Sequence, residues 1–249
     1  MIVEYHRPET IAEALELLGR AEPRTLPLAG GSALNQPSPE AVAVVDLQAL
    51  GLDQIERRGN SLAFGATTTL EQLLSIAEFP AALQAAIRHE ASFNLRQVAS
   101  VAGTLVAADG RSPFTTVFLA LDAQLTLLPG EEQISLGDLL PVRSERLPGR
   151  LITAVSIPHN VRLAYQYVAR TPADLPIVCA AVAQWPSGRT RLALGGYGQA
   201  VTLALDGPQA SGVEAAARNA YLQAGDEWAS AEYRAEMAGV LARRCIEEL

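Results

Sequence analysis

Apolar residues recur along this chain at two spacings, and the spacing changes partway along it. Ile11, Ala14, Leu15 and Leu18 follow the helical repeat, behind a Thr10–Glu13 capping pattern and ahead of Gly19, which is suited to ending a helix. Arg24 to Ala29 predicts a strand, and the apolar run Ala41 to Leu47 predicts a buried one. Residues 1–52 therefore read as a small βαβ-type unit with a glycine loop after its second strand. A strand is expected from Ser61 to Phe64, then a turn from Gly65 to Thr69. Thr69 would cap a helix carrying Leu70, Leu73, Leu74 and Ala77, and another helix is expected from about Pro80 to Glu90. Past a small-residue loop, Ser100–Thr104, helical spacing covers Phe114 to Leu121. A strand from Gln124 to Leu128 ends at Pro129-Gly130.

Pro141 to Gly149 is polar and turn-rich and marks a boundary. Beyond it Leu151–Ile157, Arg162–Val168, Ile177–Trp185 and Thr190–Leu194 predict strands, the last two joined as a hairpin by Pro186-Ser187-Gly188. Helical stretches near Ser211–Ala224 and Ala229–Glu248 follow. Strands succeeded by helices predict an α+β domain over residues 150–249, an antiparallel sheet with helices on one face.

Composition narrows the chemistry. The net charge of −8 argues against nucleic acid or an anionic membrane surface as partner. All 19 basic residues are arginine, so no Schiff-base or phosphate-loop lysine exists. Cys179 and Cys245 alone cannot ligate an iron–sulfur cluster or build a four-thiolate zinc site, and they read as buried free thiols. His6, His89 and His159 have no ligand spacing, so no metal site is expected. No apolar run approaches the ~20 residues of a membrane span and no signal-like segment opens the chain, so a cytoplasmic protein is expected.

Two segments carry candidate binding chemistry. In Leu28-Ala29-Gly30-Gly31-Ser32, the glycines leave backbone N–H groups open to close approach, and such groups in succession suit phosphate oxygens. It is not a dinucleotide-binding fingerprint, because Pro37 and Pro39 follow where a helix would have to start. The second segment, Ser100-Val101-Ala102-Gly103-Thr104, adds hydroxyls at Ser100 and Thr104. The pair suggests one phosphate-rich ligand held from both sides.

These segments belong to an ordered series: Ala29–Leu34, Val45-Asp46-Leu47, Gly65–Thr69, Arg96–Thr104, Leu119–Ala123, Ala193–Gly196 and Ser230–Arg234. In that order and over essentially the whole chain, they resemble the FAD-binding medium subunit of the molybdenum hydroxylases, the carbon monoxide dehydrogenase and xanthine dehydrogenase type. The resemblance implies an α+β fold. Two α/β lobes, 1–52 and 53–145, would hold FAD, and the C-terminal domain would close over the flavin. It also implies an oxidoreductase subunit that works within a complex. Its partners would be a molybdenum-cofactor large subunit and a [2Fe-2S] small subunit. Electrons from the iron–sulfur clusters would pass to NAD, a quinone or oxygen. No catalytic residue of the chain's own is expected, since the cofactor carries the chemistry. The implied cofactor contacts are Leu28, Ala29, Gly30, Gly31, Ser32, Ala33, Leu34, Ser100, Ala102, Gly103, Thr104, Asp109, Leu151 and Gln166.

The chain departs from the family pattern at several of these points. Ala33 replaces an acid, Ala99 and Ala102 replace glycines, and Thr104 replaces an asparagine. A flavin-contacting aspartate falls on Pro113, with Asp109 nearby, and a lysine falls on Gln166. Added methyls at Ala99 and Ala102 are expected to narrow the second wall of the cradle. A second reading follows: a flavin-free structural or assembly subunit of the same kind of complex.

Overall fold

Strand β1 (Ile2–His6) leads through α1 (Ile11–Leu18) to β2 (Thr25–Leu28) and β3 (Val42–Asp46) in the computed structural model, which describes residues 1–34, 40–76 and 79–249. The strands pair in parallel in the order β1-β3-β2. β3 is central and buried along its length, which accounts for its apolar sequence up to Asp46. Thr10 caps α1 by accepting the Glu13 N–H at 3.2 Å, and Ala14 and Leu18 pack with Val45, Leu47 and Leu151. Pro37, Pro39 and Ala77 lie outside the described residues.

A second sheet has the order β4-β5-β8-β6-β7. Its strands are β4 (Ile55–Arg58), β5 (Ser61–Gly65), β6 (Gln124–Leu128), β7 (Glu132–Ser135) and β8 (Leu151–Pro158). Between β5 and β6 run α2 (Leu70–Leu74), α3 (Ala81–Glu90), α4 (Phe93–Arg96), α5 (Val101–Ala107) and α6 (Pro113–Ala120). Short helices α7 (Leu136–Leu139) and α8 (Arg143–Arg146) follow β7. Thr69 caps α2 through a full capping box with Gln72, and Ser112 caps α6 ahead of Pro113.

The third sheet is antiparallel, in the order β12-β11-β10-β9. It contains β9 (Arg162–Val168), β10 (Val178–Gln184), β11 (Thr190–Gly195) and β12 (Thr202–Gly207), followed by α9 (Val213–Ala220) and α10 (Ala231–Glu248). The expected hairpin joins β10 and β11, with Gly188 at φ +91°. α9 and α10 cover one face through Val178, Ala180, Val182, Leu192 and Leu194, as the strand–helix order predicts. The other face, carrying Cys179, Arg191 and Gly195, meets α6 from earlier in the chain. β10 is buried on both sides for this reason.

Contacts divide the chain into two compact units that interleave in sequence. The first contains Met1–Ser75, Phe93–Ala107 and Gln124–Ile157. The second contains Ile76–Ser92, Ala108–Ala123 and Pro158–Leu249, so α3 and α6 belong with the third sheet.

Inside the second unit Arg234 is fully buried. Its guanidinium donates to the carbonyls of Ile177 (3.1 Å), Ala224 (2.8 Å) and Ala229 (3.2 Å) and pairs with Asp226 at 2.8 Å. One cation thus fastens the chain leading into β10 to the turn before α10. Arg191 does similar work, joining Asp122 (2.7 Å), Asp206 (3.0 Å) and the Leu119 carbonyl (3.1 Å).

Candidate functional site

The first unit sets Gly30 of the first predicted segment against Val98, two residues before the second. β2 ends at Leu28, whose carbonyl accepts the Leu47 N–H at 2.9 Å. The chain then turns through Ala29 and Gly30 to Gly31, which has φ +72°. Gly30 lies directly against the backbone of Val98: a Cβ built on it would stand 1.5 Å from the Val98 carbonyl oxygen. Gly30, Ser32 and Ala33 are exposed and Ala29, Gly31 and Leu34 half-buried. Among the described residues, nothing accepts the N–H groups of Gly30, Gly31 or Ser32. Three consecutive donors are therefore open, the condition for a backbone anion cradle.

The second segment is built differently from the expected loop. Its residues from Val101 onward form α5, and every N–H from Val101 to Thr104 already has a partner. Val101 donates to the Thr68 carbonyl (2.8 Å), Ala102 to Ala66 (3.2 Å), Gly103 to the Ser100 hydroxyl (3.1 Å) and Thr104 to the Ser100 carbonyl (2.9 Å). The Thr104 hydroxyl also donates to Ser100 O at 2.8 Å. The segment offers no free N–H cradle of its own, because Ser100 acts as a helix cap. It supplies instead a firm wall, pinned to residues 66–70 and closed by the Thr69–Ser100 bridge.

Ala99 and Ala102 stand where added methyls are expected to narrow the second wall. Both residues are buried, 6% and 8% exposed, while the neighbouring Gly103 is exposed. Gly103 is required for a local reason, since a Cβ there would lie 2.7 Å from the Ser100 hydroxyl.

The remaining expected contacts fall in both units. Leu151 is buried in the core beside Ala14 and Val45. Asp109 lies in the second unit, exposed, with Oδ1 accepting the Arg111 N–H at 2.8 Å. Gln166, on β9 in that unit, donates to the Glu248 carboxylate of α10. Tyr197 also packs there, its ring 5.1 Å from the Arg234 guanidinium and edge-on to Tyr221.

Isolated titratable groups are locally satisfied. His89 packs at a tilt against the Tyr167 ring, meets the Tyr165 hydroxyl at 3.0 Å and the Asp174 carbonyl at 2.7 Å, and burial lowers its pKa. Glu90 accepts from the Ser112 hydroxyl (2.8 Å) and the Phe114 N–H (3.0 Å), and burial raises its pKa. Burial also pushes both thiols, Cys179 and Cys245, up to about 12. Among the described residues no His, Cys, Asp and Glu side chains cluster as a metal site.

The sequence alone leaves Arg96 open between an anchor of the second segment, a phosphate contact and a plain surface salt bridge. The structure pairs it with Glu71, Nε to carboxylate at 2.9 Å, with the two side chains 12% and 28% exposed. The Val98 carbonyl gave no sequence signal, because a backbone contact leaves none in a side chain.

Comparison with known proteins agrees with the family resemblance. The sequence family described as the FAD binding domain in molybdopterin dehydrogenase matches residues 1–160. The carbon monoxide dehydrogenase medium chain of Afipia carboxidovorans is 30% identical over 277 residues, covering 98% of this chain and 95% of that one. The Escherichia coli K12 protein YgfM, described as uncharacterized, is 30% identical over 247 residues, covering 97% and 94%. The structure of reconstituted CO dehydrogenase from Oligotropha carboxidovorans superposes with a TM-score of 0.81 at 28% identity, covering 98% of this chain and 96% of that chain.

Proposed function

We propose a function from one premise: the chain belongs to the family of FAD-binding domains of molybdopterin dehydrogenases. It is an oxidoreductase subunit, and FAD is its cofactor. Our reading is that it serves as the electron-transfer subunit of a molybdenum hydroxylase. It would take electrons from iron–sulfur clusters on a [2Fe-2S] small subunit and deliver them to NAD, a quinone or oxygen. A molybdenum-cofactor large subunit would select the substrate. The expected compartment is the cytoplasm, and no described helix is long and apolar enough to cross a membrane.

One observation carries this reading. The Gly30, Gly31 and Ser32 N–H groups are open and sit beside the Val98 wall, so a pyrophosphate can approach to backbone contact. The burial of Ala99 and Ala102 supports that approach. When bound, FAD supplies the redox chemistry. The chain's part is to hold the pyrophosphate on the first loop and keep the second segment rigid behind it.

The test is a titration of the purified full-length chain with FAD, read by flavin absorbance and by quenching of flavin fluorescence. Uptake near one flavin per chain supports the reading. A folded chain that takes up no flavin would instead be a structural subunit.

A further inference from the structure

The Gly-Gly loop has no hydrogen bond of its own to fix it through Gly30, Gly31 and Ser32 among the described residues. It abuts Val98, whose neighbour Ala99 accepts the Leu70 N–H of α2 at 2.9 Å, which fixes the C-terminal side of the Val98 turn. Val98 closes the turn after α4, its N–H donating to the Leu95 carbonyl at 3.1 Å. α4 has four residues, none buried, and Phe93 and Leu95 are 59% and 49% exposed. Hydrophobic burial therefore does not fix this helix. α2 is the opposite case: Leu70 and Leu73 are fully buried and its capping box is complete. The Arg96–Glu71 pair connects the two, and the Phe93 ring lies 5.8 Å from the guanidinium.

We infer that the Arg96–Glu71 ion pair is a positioning element for flavin binding, holding the Val98 turn against Gly30 so that the open N–H groups face the pyrophosphate. Beside the direct Leu70–Ala99 bond, which holds the C-terminal side of the turn, this second line of support runs from α2 through Glu71 and Arg96 to its N-terminal side, then Val98 and Gly30. Arg96 touches no phosphate in this account; it acts through Val98. The inference rests on the flavin reading above.

The test uses the full-length chain and the variants Arg96→Gln, Glu71→Gln and the double variant R96M/E71L. Each is measured for FAD dissociation constant by flavin fluorescence and, without FAD, for melting temperature by circular dichroism. The single variants are expected to bind FAD about tenfold more weakly, the change that ~1.4 kcal/mol of lost positioning produces. The apolar pair restores packing without the directed bond, so it should recover the melting temperature but not the affinity. A merely structural pair would recover both together. Tight FAD binding by R96M/E71L, equal to the parent, would overturn the inference, as would unchanged affinity in both single variants. A folded parent that binds no FAD is a separate outcome, which overturns the flavin reading itself and this inference with it.

Discussion

Gly30 and Val98 meet backbone to backbone, with no room for a side chain on Gly30. Gly30→Ala must push the Val98 turn away or displace the loop. The expected cost is about 1–3 kcal/mol, typical of overpacking, with FAD uptake lost. Urea denaturation and flavin titration check the two effects. Gly31→Ala differs: its nearest neighbour would be the Leu28 side chain at 3.3 Å, and the strain comes from φ +72°. It should cost about 1–2 kcal/mol through that backbone preference.

Arg234 should be among the most sensitive positions for stability. Arg234→Met keeps the stem but leaves the Ile177, Ala224 and Ala229 carbonyls without the guanidinium and Asp226 without its cation. Losing one partner of a buried, hydrogen-bonded charge typically costs about 3–5 kcal/mol. Arg234→Lys should rescue little, because one ammonium cannot span these acceptors in the geometry of a planar fork. Chemical denaturation of both variants checks this.

His89 should give the protein an acid-side loss of stability above the carboxylate range. Nε2–H donates to the Asp174 carbonyl, which leaves Nδ1 to accept the Tyr165 hydroxyl, and burial holds the pKa below 6.5. The unfolded chain takes up its proton first as pH falls. The stability from neutral His89 is therefore complete above 6.5 and is lost progressively below it, toward the folded pKa. Glu90 works in the opposite sense. Its raised pKa gives a contribution complete below 4.5 and lost as pH rises through the folded value. Comparing melting temperatures of His89→Gln and the parent between pH 7.5 and 5.5 isolates the histidine; the parent should fall more steeply.

Asp206 sets a further acid limit. Its hydrogen bond to Arg189 is the leading cause that lowers its pKa below 3.8, helped by Arg191. That stability is present above 3.8 and disappears as pH falls through the folded value. Asp206→Asn should lower the melting temperature at pH 7 and flatten the decline below pH 4, as scanned calorimetry would show.

Much of the fold was legible where spacing is regular or a cap is explicit. β9 and α10, with Thr10 and Thr69 as caps of earlier helices, follow from pattern alone. β4 escaped because all four of its residues are exposed and half are arginine, and β7 because it is a short polar strand. α5 escaped because Gly103 and small neighbours look like a loop until Ser100 is seen to cap them. At the candidate site, the glycines were readable because each depends on its own missing side chain. The Val98 contact and the tie between Arg96 and Glu71 are tertiary, fixed by the fold rather than by local spacing.

The interleaving of the two units has a consequence for how this protein can be divided. The family match ends at residue 160, which invites excising that stretch as a portable cofactor module. Yet 1–160 carries α3 and α6, whose buried Leu83, Ile87, Phe114 and Phe118 belong with the sheet formed by later residues. A fragment cut there would carry that apolar surface without its cover. Recombination between relatives is constrained in the same way. A C-terminal sheet brought in from another chain would have to match helices encoded upstream of the cut, so the two parts of the sequence have to be exchanged together.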